Sequence, residues 1–378
     1  MCRMKNPFKY GIRVSGSFFY DRTKVKRDML NVLDGGNNIV LYGPRRYGKS
    51  SLVGELLNDL RRRGTACAEL NMMDIASLDD FIAKFARVVY RELAPVTGAI
   101  NQVAGLFKRI SPTVGIDSEG KPELKFTIAS AKAGIDALRD VLELPEKLCA
   151  KNKKIVIALD EFQEVTELGL GPQFERTMRS IIERQENVTY IFLGSKAHMI
   201  ERMFSTKSRP FYNSAQKFLL TRPPIEESAA FLIDRFKSSG ITLSKPLAQE
   251  LVSRIDNVPY YLQALGSWVF NAITGRNARS VTPSDIEDGF SNLYETERIL
   301  LEDTFTAHSQ SQRLLMRALA MEHAATFNEE YRNRHALAST STVNTALRRL
   351  LAESTIEYDG VSYRLANPLL SYHLARQA

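Results

Sequence analysis

The octapeptide Gly43-Pro44-Arg45-Arg46-Tyr47-Gly48-Lys49-Ser50 matches the pattern G-x-x-x-x-G-K-[ST] in full. It follows a short apolar run and precedes a segment with helical periodicity, the context that a phosphate-binding loop requires. Its glycines let backbone N–H groups fold around a β-phosphate, and the following helix N-terminus adds a positive end. The Lys49 ammonium would reach the β- and γ-phosphates, and the Ser50 hydroxyl would bind Mg²⁺. The pattern predicts a site for ATP and Mg²⁺ in this loop, with Ser51 beside it.

A pair of carboxylates, Asp160 and Glu161, follows the apolar run IVIAL at residues 155–159. A Mg²⁺·ATP site needs such groups next to its phosphate loop. Asp160 would hold the metal ion directly or through water, and Glu161 would orient and deprotonate the attacking water. The alternative is a strand that ends in a polar, solvated turn.

Single polar residues at other predicted strand ends are further candidates. Ser195 could sense the γ-phosphate by hydrogen bonding, or it could be an ordinary helix N-cap. Asn71 could hydrogen bond to Glu161 and hold it idle, or it could be a plain turn residue. Arg202 and Arg209 could reach the nucleotide of a neighbouring copy, and the alternative for each is a surface or structural arginine.

The elements that must position these residues alternate between strands and helices over residues 1–222, the predicted phosphate-loop domain. Strands are predicted at 38–42, 65–70, 154–159 and 189–194, and helices at 50–63, 77–93, 136–149 and 174–184. A β-hairpin is predicted over residues 114–128, around Ser118-Glu119-Gly120-Lys121. Fully apolar strands alternating with helices are typical of an α/β fold, a parallel sheet covered by helices on both faces.

The pattern changes after Arg222-Pro223-Pro224. Residues 223–305 show helical periodicity and predict a helical lid domain. Residues 306–378 predict helices at 312–323, 331–337 and 341–352, followed by two short strands around Asp359-Gly360. Three helices and a hairpin indicate a winged helix.

The third helix of this module is the candidate recognition helix. It offers Asn344, Arg348 and Arg349 to a groove and to phosphates, which favours double-stranded DNA. Residues 309–378 carry 8 Arg and no Lys against 6 Asp and Glu, however, so a protein partner is the alternative.

Composition narrows the class of protein. The 378 residues suffice for two or three domains. Residues 1–50 carry 11 Lys and Arg against 3 Asp and Glu, which accounts for the whole net charge of +8 and leaves the rest of the chain neutral. No apolar stretch is long enough for a membrane span, and the N-terminus has no apolar segment of a secretory signal. Three dispersed cysteines form no disulfide scaffold or C-x-x-C metal site, and we expect a cytoplasmic protein without a membrane partner.

The chain resembles the archaeal-type ATPases, P-loop proteins close to the AAA+ and STAND groups. The resemblance lies in GPRRYGKSSL (43–52), ALDEFQEV (158–165), FLGSKAHMIERMF (192–204) and YRLANPLLSYHL (363–374), which together span most of the chain. It implies an N-terminal segment that closes over the adenine, matched here by residues 6–8 and 18–22 with Phe8 and Tyr20. It also implies a Gly-x-Pro-like turn in the lid, matched by Pro259, with Asn257 where many relatives have Gly.

Two functional classes stay open. The leading interpretation is a Mg²⁺-dependent ATPase switch, in which hydrolysis moves the lid and repositions the winged helix and its partner. The alternative is a DNA-binding regulator with a structural nucleotide and negligible turnover. A phosphotransferase is weaker, because no acceptor-binding motif is present. A protein client and a homo-oligomer are compatible with either class.

Overall fold

The computed structural model describes residues 5–20, 22–97, 110–116, 122–128, 134–149, 153–167 and 171–377. The chain forms two compact units. The sheet unit comprises Thr23–Tyr42 and Leu52–Leu219, and the winged-helix unit comprises Met1–Arg22, Gly43–Ser51 and Leu220–Ala378. Neither unit coincides with the domain ranges predicted from the sequence, and those ranges stay a prediction.

The strands of the sheet unit form a parallel main sheet and a separate antiparallel pair. In chain order they are β1 (Ile39–Tyr42), β2 (Ala66–Asn71), β3 (Ile110–Ile116), β4 (Pro122–Ile128), β5 (Ile155–Asp160), β6 (Val188–Gly194) and β7 (Gln216–Leu219). In the described part of the chain the main sheet has the order β2-β5-β6-β1-β7, with every neighbouring pair parallel. The predicted parallel sheet is therefore confirmed.

The strand β7 was missed by the sequence analysis. It is a short edge strand that is largely exposed, so it lacks the apolar run that marks the central strands. The predicted hairpin corresponds to β3 and β4, an antiparallel pair that begins at Ile110. The predicted turn residues 118–121 lie outside the described residues.

Helices surround the sheet. They are α1 (Thr23–Asp34), α2 (Lys49–Arg62), α3 (Leu78–Thr97), α4 (Gly134–Leu148), α5 (Glu164–Glu167), α6 (Gly171–Ile182) and α7 (Ala197–Ser205). Every residue of β6 is buried, which explains its largely apolar sequence. At the end of the sheet that carries the acidic pair, the rings of Phe162, Phe192, Phe204 and Phe211 pack on one another with centroids 4.7–6.2 Å apart.

The winged-helix unit contains the predicted lid helices. They are α8 (Ile225–Ser238), α9 (Lys245–Arg254), α10 (Pro259–Gly275) and α11 (Pro283–Thr306). Thr282 begins α11 with a reciprocal capping box to Asp285, in which each side chain bonds to the other residue's backbone.

A winged helix follows. Its elements are α12 (Gln310–Met321), α13 (Glu329–Arg334), α14 (Thr340–Ala352), β8 (Ile356–Tyr358), β9 (Tyr363–Leu365) and α15 (Pro368–Ala375). Ser309, Asn328 and Ser339 cap the first three helices through their side chains, which places the helix starts near the predicted positions. β8 and β9 pair antiparallel around Gly360, whose φ of 97° suits glycine. The predicted winged helix is confirmed, and α15 is an addition to the prediction.

Among the described residues, every helix is too short or too polar to cross a membrane.

Candidate active site

The phosphate loop connects β1 to α2. The strand ends at Tyr42, and the helix begins at Lys49. A Cβ on Gly43 would lie 2.5 Å from the Leu220 backbone oxygen, so only glycine fits this close approach. Gly48 has a φ of 83°, which glycine adopts without strain. The loop therefore turns tightly into the N-terminus of α2, and the first N–H groups of a helix are those that can bind an anion.

Lys49 is buried within this loop and only 6% exposed. Its Nζ donates hydrogen bonds to the carbonyl oxygens of Gly43 and Pro44, at 2.8 and 2.7 Å. The ammonium is thus held in the concave side of the loop, at the start of the helix, where a phosphate would need it. The half-buried Ser50 follows at the second helical position and supplies a hydroxyl oxygen, the type of donor that Mg²⁺ prefers. Loop and side chains fit a nucleotide phosphate with its metal ion.

The remaining loop residues are placed differently from one another. Pro44 is half-buried, whereas Arg45 and Arg46 are exposed. Ser51 is buried, and its Oγ accepts a hydrogen bond from the Val14 backbone N–H at 3.1 Å. This bond ties the N-terminal segment to the first turn of α2.

A cavity of the winged-helix unit opens beside the loop, with about 650 Å³ of empty space including its mouth. It is lined by the N-terminal segment, the phosphate loop and the start of the lid: Lys9, Tyr10, Gly11, Ile12, Val14, Phe18, Phe19, Tyr20, Arg22, Arg46, Tyr47, Gly48, Ser51, Pro223, Pro259, Tyr260 and Gln263. The structure thus brings Tyr20 and Pro259 to one cavity with the loop.

Phe8 is the exception among the predicted adenine-side residues. Its ring is buried beside Phe231 and Phe236, at centroid distances of 6.5 and 5.1 Å, and it is absent from the lining of the described cavity. It packs so close to Gly266 that a Cβ there would lie 2.6 Å from the ring. Phe8 is therefore a packing residue that anchors the N-terminal segment on α10. Asp21, in the same predicted stretch, lies outside the described residues.

The backbone conformation of the lid turn explains why asparagine can stand at residue 257, where many relatives have glycine. Asn257 adopts a φ of 53°, a left-handed conformation that asparagine tolerates better than most residues other than glycine. Its side-chain amide donates to the Pro223 carbonyl at 2.7 Å, which holds the turn that precedes Pro259.

In the sheet unit, Glu161 is fixed by groups at the ends of two neighbouring strands. Its Oε2 accepts hydrogen bonds from the Ser195 backbone N–H at 3.1 Å and from Ser195 Oγ at 2.8 Å. It also accepts one from Gln163 Nε2 at 2.5 Å. The Glu161 N–H itself donates to Asp160 Oδ1 at 2.9 Å. Glu161 has a φ of 52°, so backbone and side chain together define one orientation of the carboxylate.

Ser195 therefore contacts Glu161, a partner that the sequence analysis did not assign to it. The alternative of a helix N-cap is wrong, because α7 has Lys196 at that position, without a side-chain cap. Gln163 was missed altogether, although it lies within the string DEFQ that helped define the family resemblance. This buried side chain contacts Glu161 from two residues further along the chain.

The hydrogen bond predicted between Asn71 and Glu161 is not what the structure shows. Asn71 lies opposite Asp160 in the sheet register, but its side chain accepts from the Met73 backbone N–H at 3.1 Å and caps a 3-10 turn. Asparagine forms such local bonds readily, because its side chain is short.

Arg209 also requires a correction. It forms an ion pair with Glu175, at 2.5 Å, within the same chain. Glu175 is 3% exposed, and burial raises the pKa of its carboxyl group while Arg209 opposes that shift. Removing Arg209 would leave a buried carboxylate unpaired, so the arginine has a structural role here. Arg202 is exposed on α7.

On the winged helix, the predicted recognition residues Asn344, Arg348 and Arg349 are all exposed along α14. The apolar side of the same helix, with Val343, Ala346, Leu347 and Leu350, is buried. The helix thus presents a polar face.

A parallel sheet whose first strand leads into this phosphate loop, followed by a helical lid and a winged helix, defines a P-loop nucleotide-binding protein. Residues 19–265 match the family model described as an ATPase domain predominantly from Archaea, and residues 300–376 match one described as a probable winged helix domain. The chain belongs to this archaeal ATPase domain family.

The chain is similar to several solved structures. The Walker-type ATPase PABY2304 of Pyrococcus abyssi has 16% identity and a TM-score of 0.66, with 97% of this chain and 99% of that chain covered. The ORC2 protein of Aeropyrum pernix, in ADPNP–ADP complexes, has 14% identity and a TM-score of 0.57, with 94% of both chains covered. The ORC1 protein of Aeropyrum pernix, in complex with DNA, has 14% identity and a TM-score of 0.50, with 96% and 94% covered. At these identities the likeness shows the fold. No curated protein matches the chain by sequence.

The close approach at Gly43 gives a testable prediction. Gly43→Ala would push a methyl group against the Leu220 carbonyl and strain the loop by about 1–3 kcal/mol. We expect ATP affinity to fall roughly tenfold or more, since 1.4 kcal/mol is a factor of ten. The matched control is Gly275→Ala, where a Cβ meets nothing within 4 Å. Equal affinities for the two variants in a titration with fluorescent ATP would refute this role of Gly43.

Proposed function

We propose that the protein is a Mg²⁺-dependent ATPase that acts as a nucleotide-driven switch, with the winged helix as the module that contacts its partner. The observation that carries this proposal is the hydrogen-bonded placement of Glu161. A carboxylate held by three donors at the end of β5 is suited to orienting a water molecule, a task that a purely structural nucleotide site does not require. This favours turnover over the alternative of a regulator with a structural nucleotide.

The phosphate loop binds the substrate in this proposal. Lys49 exchanges its two carbonyl partners for phosphate oxygens, while the N–H groups of residues 45–51 surround the β-phosphate. Tyr20 and Pro259, in the cavity beside the loop, contact the adenine side of the nucleotide. The ADPNP–ADP complexes of the Aeropyrum pernix ORC2 protein, which shares the fold, agree with a nucleotide at this loop.

The acidic pair performs the chemistry. Ser50 supplies a hydroxyl ligand and Asp160 a carboxylate ligand for Mg²⁺, which neutralises phosphate charge when bound. Glu161 orients the attacking water and accepts its proton. Ser195 and Gln163 act as positioning residues, since both donate hydrogen bonds to the Glu161 carboxylate.

In this proposal, ATP hydrolysis changes the conformation of the protein. Because the γ-phosphate is present only before hydrolysis, contacts made to it differ between the two nucleotide states, which is the requirement for a switch. We propose that the lid helices respond and move the winged helix. Protein clients and copies of the same chain are further candidates as partners, and Arg202, which is exposed on α7, is our candidate for contact with an adjacent copy.

Steady-state ATP hydrolysis tests the proposal. We expect Mg²⁺-dependent turnover that Glu161→Gln reduces at least a hundredfold, since general-base catalysis typically contributes a factor of about 10²–10⁴. ATP binding should survive, because Glu161 is not part of the phosphate loop. Glu186→Gln, at an exposed glutamate of the same unit, is the matched control and should retain activity. Wild-type protein that binds ATP without turnover, with and without DNA, would contradict the ATPase and favour the structural nucleotide.

Double-stranded DNA is the partner that we propose for α14, because Asn344, Arg348 and Arg349 are exposed on the polar face of this helix. The Aeropyrum pernix ORC1 protein, of the same fold, is known in complex with DNA.

If the two arginines contact phosphates, Arg348→Ala with Arg349→Ala should weaken duplex binding and lower the slope of log affinity against log salt by about 2. Arg313→Ala, on α12 of the same module, is the control that keeps the slope. The measurement is fluorescence anisotropy of a labelled duplex over a salt series. An unchanged slope would contradict DNA binding at this face and favour a protein partner.

A further inference from the structure

Tyr47, in the centre of the phosphate loop, is bonded to the winged helix. It is 3% exposed, and its hydroxyl donates to Glu357 Oε1 at 2.6 Å. Glu357 lies on β8 of the winged-helix hairpin and is itself 6% exposed. Burial and the Glu357 carboxylate both raise the pKa of the Tyr47 phenol, so the tyrosine remains protonated and acts as the donor. A loop that binds phosphate is thus directly connected to an element 310 residues away in the chain.

The charge of Glu357 is compensated by an arginine that also reaches the lid. Arg222 Nη2 lies 2.6 Å from Glu357 Oε1 and 2.9 Å from Asp256 Oδ2. Arg364, on β9, lies 3.4 Å from the other oxygen of Asp256. These contacts form a chain of alternating negative and positive charges that links the hairpin to the lid turn: Glu357, Arg222, Asp256 and Arg364. A buried charge is tolerated only with such partners, so the groups depend on one another.

The network is incomplete. Within the described residues, Glu357 Oε2, Arg222 Nε and Arg364 Nε are buried and form no hydrogen bond. Unsatisfied buried polar atoms are costly, and a partly satisfied network gains less than a complete one.

Arg46, the residue before Tyr47, is held in place by contacts with the lid. The Arg46 carbonyl accepts a hydrogen bond from the Tyr260 N–H at 3.3 Å, and its guanidinium lies 4.7 Å from the Tyr260 ring centre. Arg46 has a φ of 70°, which is strained for a residue other than glycine and persists only when neighbours enforce it. Arg46 and Tyr47 both line the cavity beside the loop. The loop conformation at that cavity therefore depends on contacts from α10 and from β8.

We propose that Glu357 is a positioning residue for the phosphate loop. Its bond to Tyr47 holds the loop in the conformation that binds nucleotide and couples nucleotide binding to the state of the winged-helix hairpin. By linkage, whatever alters the hairpin alters nucleotide affinity, and nucleotide binding alters the hairpin by the same free energy. The inference rests on the proposed nucleotide site and adds a regulatory contact to it.

A double-mutant cycle tests the coupling. Tyr47→Phe removes the hydroxyl and keeps the ring together with the Glu357–Arg222 pair, and Glu357→Gln removes the charge at constant size. We expect each change to weaken binding of a fluorescent ATP analogue in Mg²⁺ about tenfold, a typical loss for a hydrogen bond to a charged acceptor. The double variant should bind no more weakly than the weaker single variant. Tyr358→Phe, which removes a hydroxyl bonded within the hairpin to Gly360, should keep wild-type affinity.

Hydrogen exchange of the hairpin amides, residues 356–365, separates positioning from general stability. In wild-type protein ATP should slow this exchange, and in Tyr47→Phe the response should be lost at a temperature well below the melting temperature of the unliganded variant. Hydrogen exchange in Tyr47→Phe still tests the coupling if Glu357→Gln unfolds. Unchanged affinities, additive losses, or a hairpin response that persists in Tyr47→Phe would overturn the coupling alone. Absence of nucleotide binding by wild-type protein would overturn the proposed function as well.

Discussion

The buried ammonium of Lys49 is the interaction on which the rest of the site depends. A charge that is 6% exposed needs partners, and here the carbonyl oxygens of Gly43 and Pro44 provide them. Both oxygens are aimed inward only because the chain turns sharply at Gly43, against the Leu220 carbonyl. The same turn starts α2 at Lys49, and the first N–H groups of a helix are those that can bind an anion. Phosphate oxygens can replace the carbonyls as partners, so the loop is already organised for its ligand.

Much of the fold follows from local sequence patterns. The central strands β1, β5 and β6 are apolar runs because they are buried on both faces, and the winged helix is marked by its caps and its Asp-Gly turn. The edge strand β7 could not be predicted in this way, since its residues are mostly exposed and its partner β1 lies far away in sequence. Helix α1 was also missed, although its apolar residues Val25, Met29, Leu30, Val32 and Leu33 recur at helical spacing.

The candidate site was predictable where a residue acts through its position in a motif, and less so where it acts through a contact. The phosphate loop and the acidic pair were predicted by type and spacing. The partners of Glu161 depend on which side chain reaches it: Asn71 bonds to the nearby Met73 N–H, while Ser195 and Gln163 contact the carboxylate. The pairing of Arg209 with Glu175 and of Tyr47 with Glu357 joins residues distant in sequence, which no local pattern encodes.

The central claim is that Lys49 and its loop receive the phosphates of ATP. The most direct measurement is a crystal structure of Glu161→Gln with ATP and Mg²⁺, in which slow hydrolysis would preserve the bound nucleotide. The account predicts Lys49 Nζ within about 3 Å of phosphate oxygens, and the adenine in the cavity lined by Tyr20 and Pro259. Lys49 still bonded to the Gly43 and Pro44 carbonyls, with the nucleotide bound elsewhere, would contradict it.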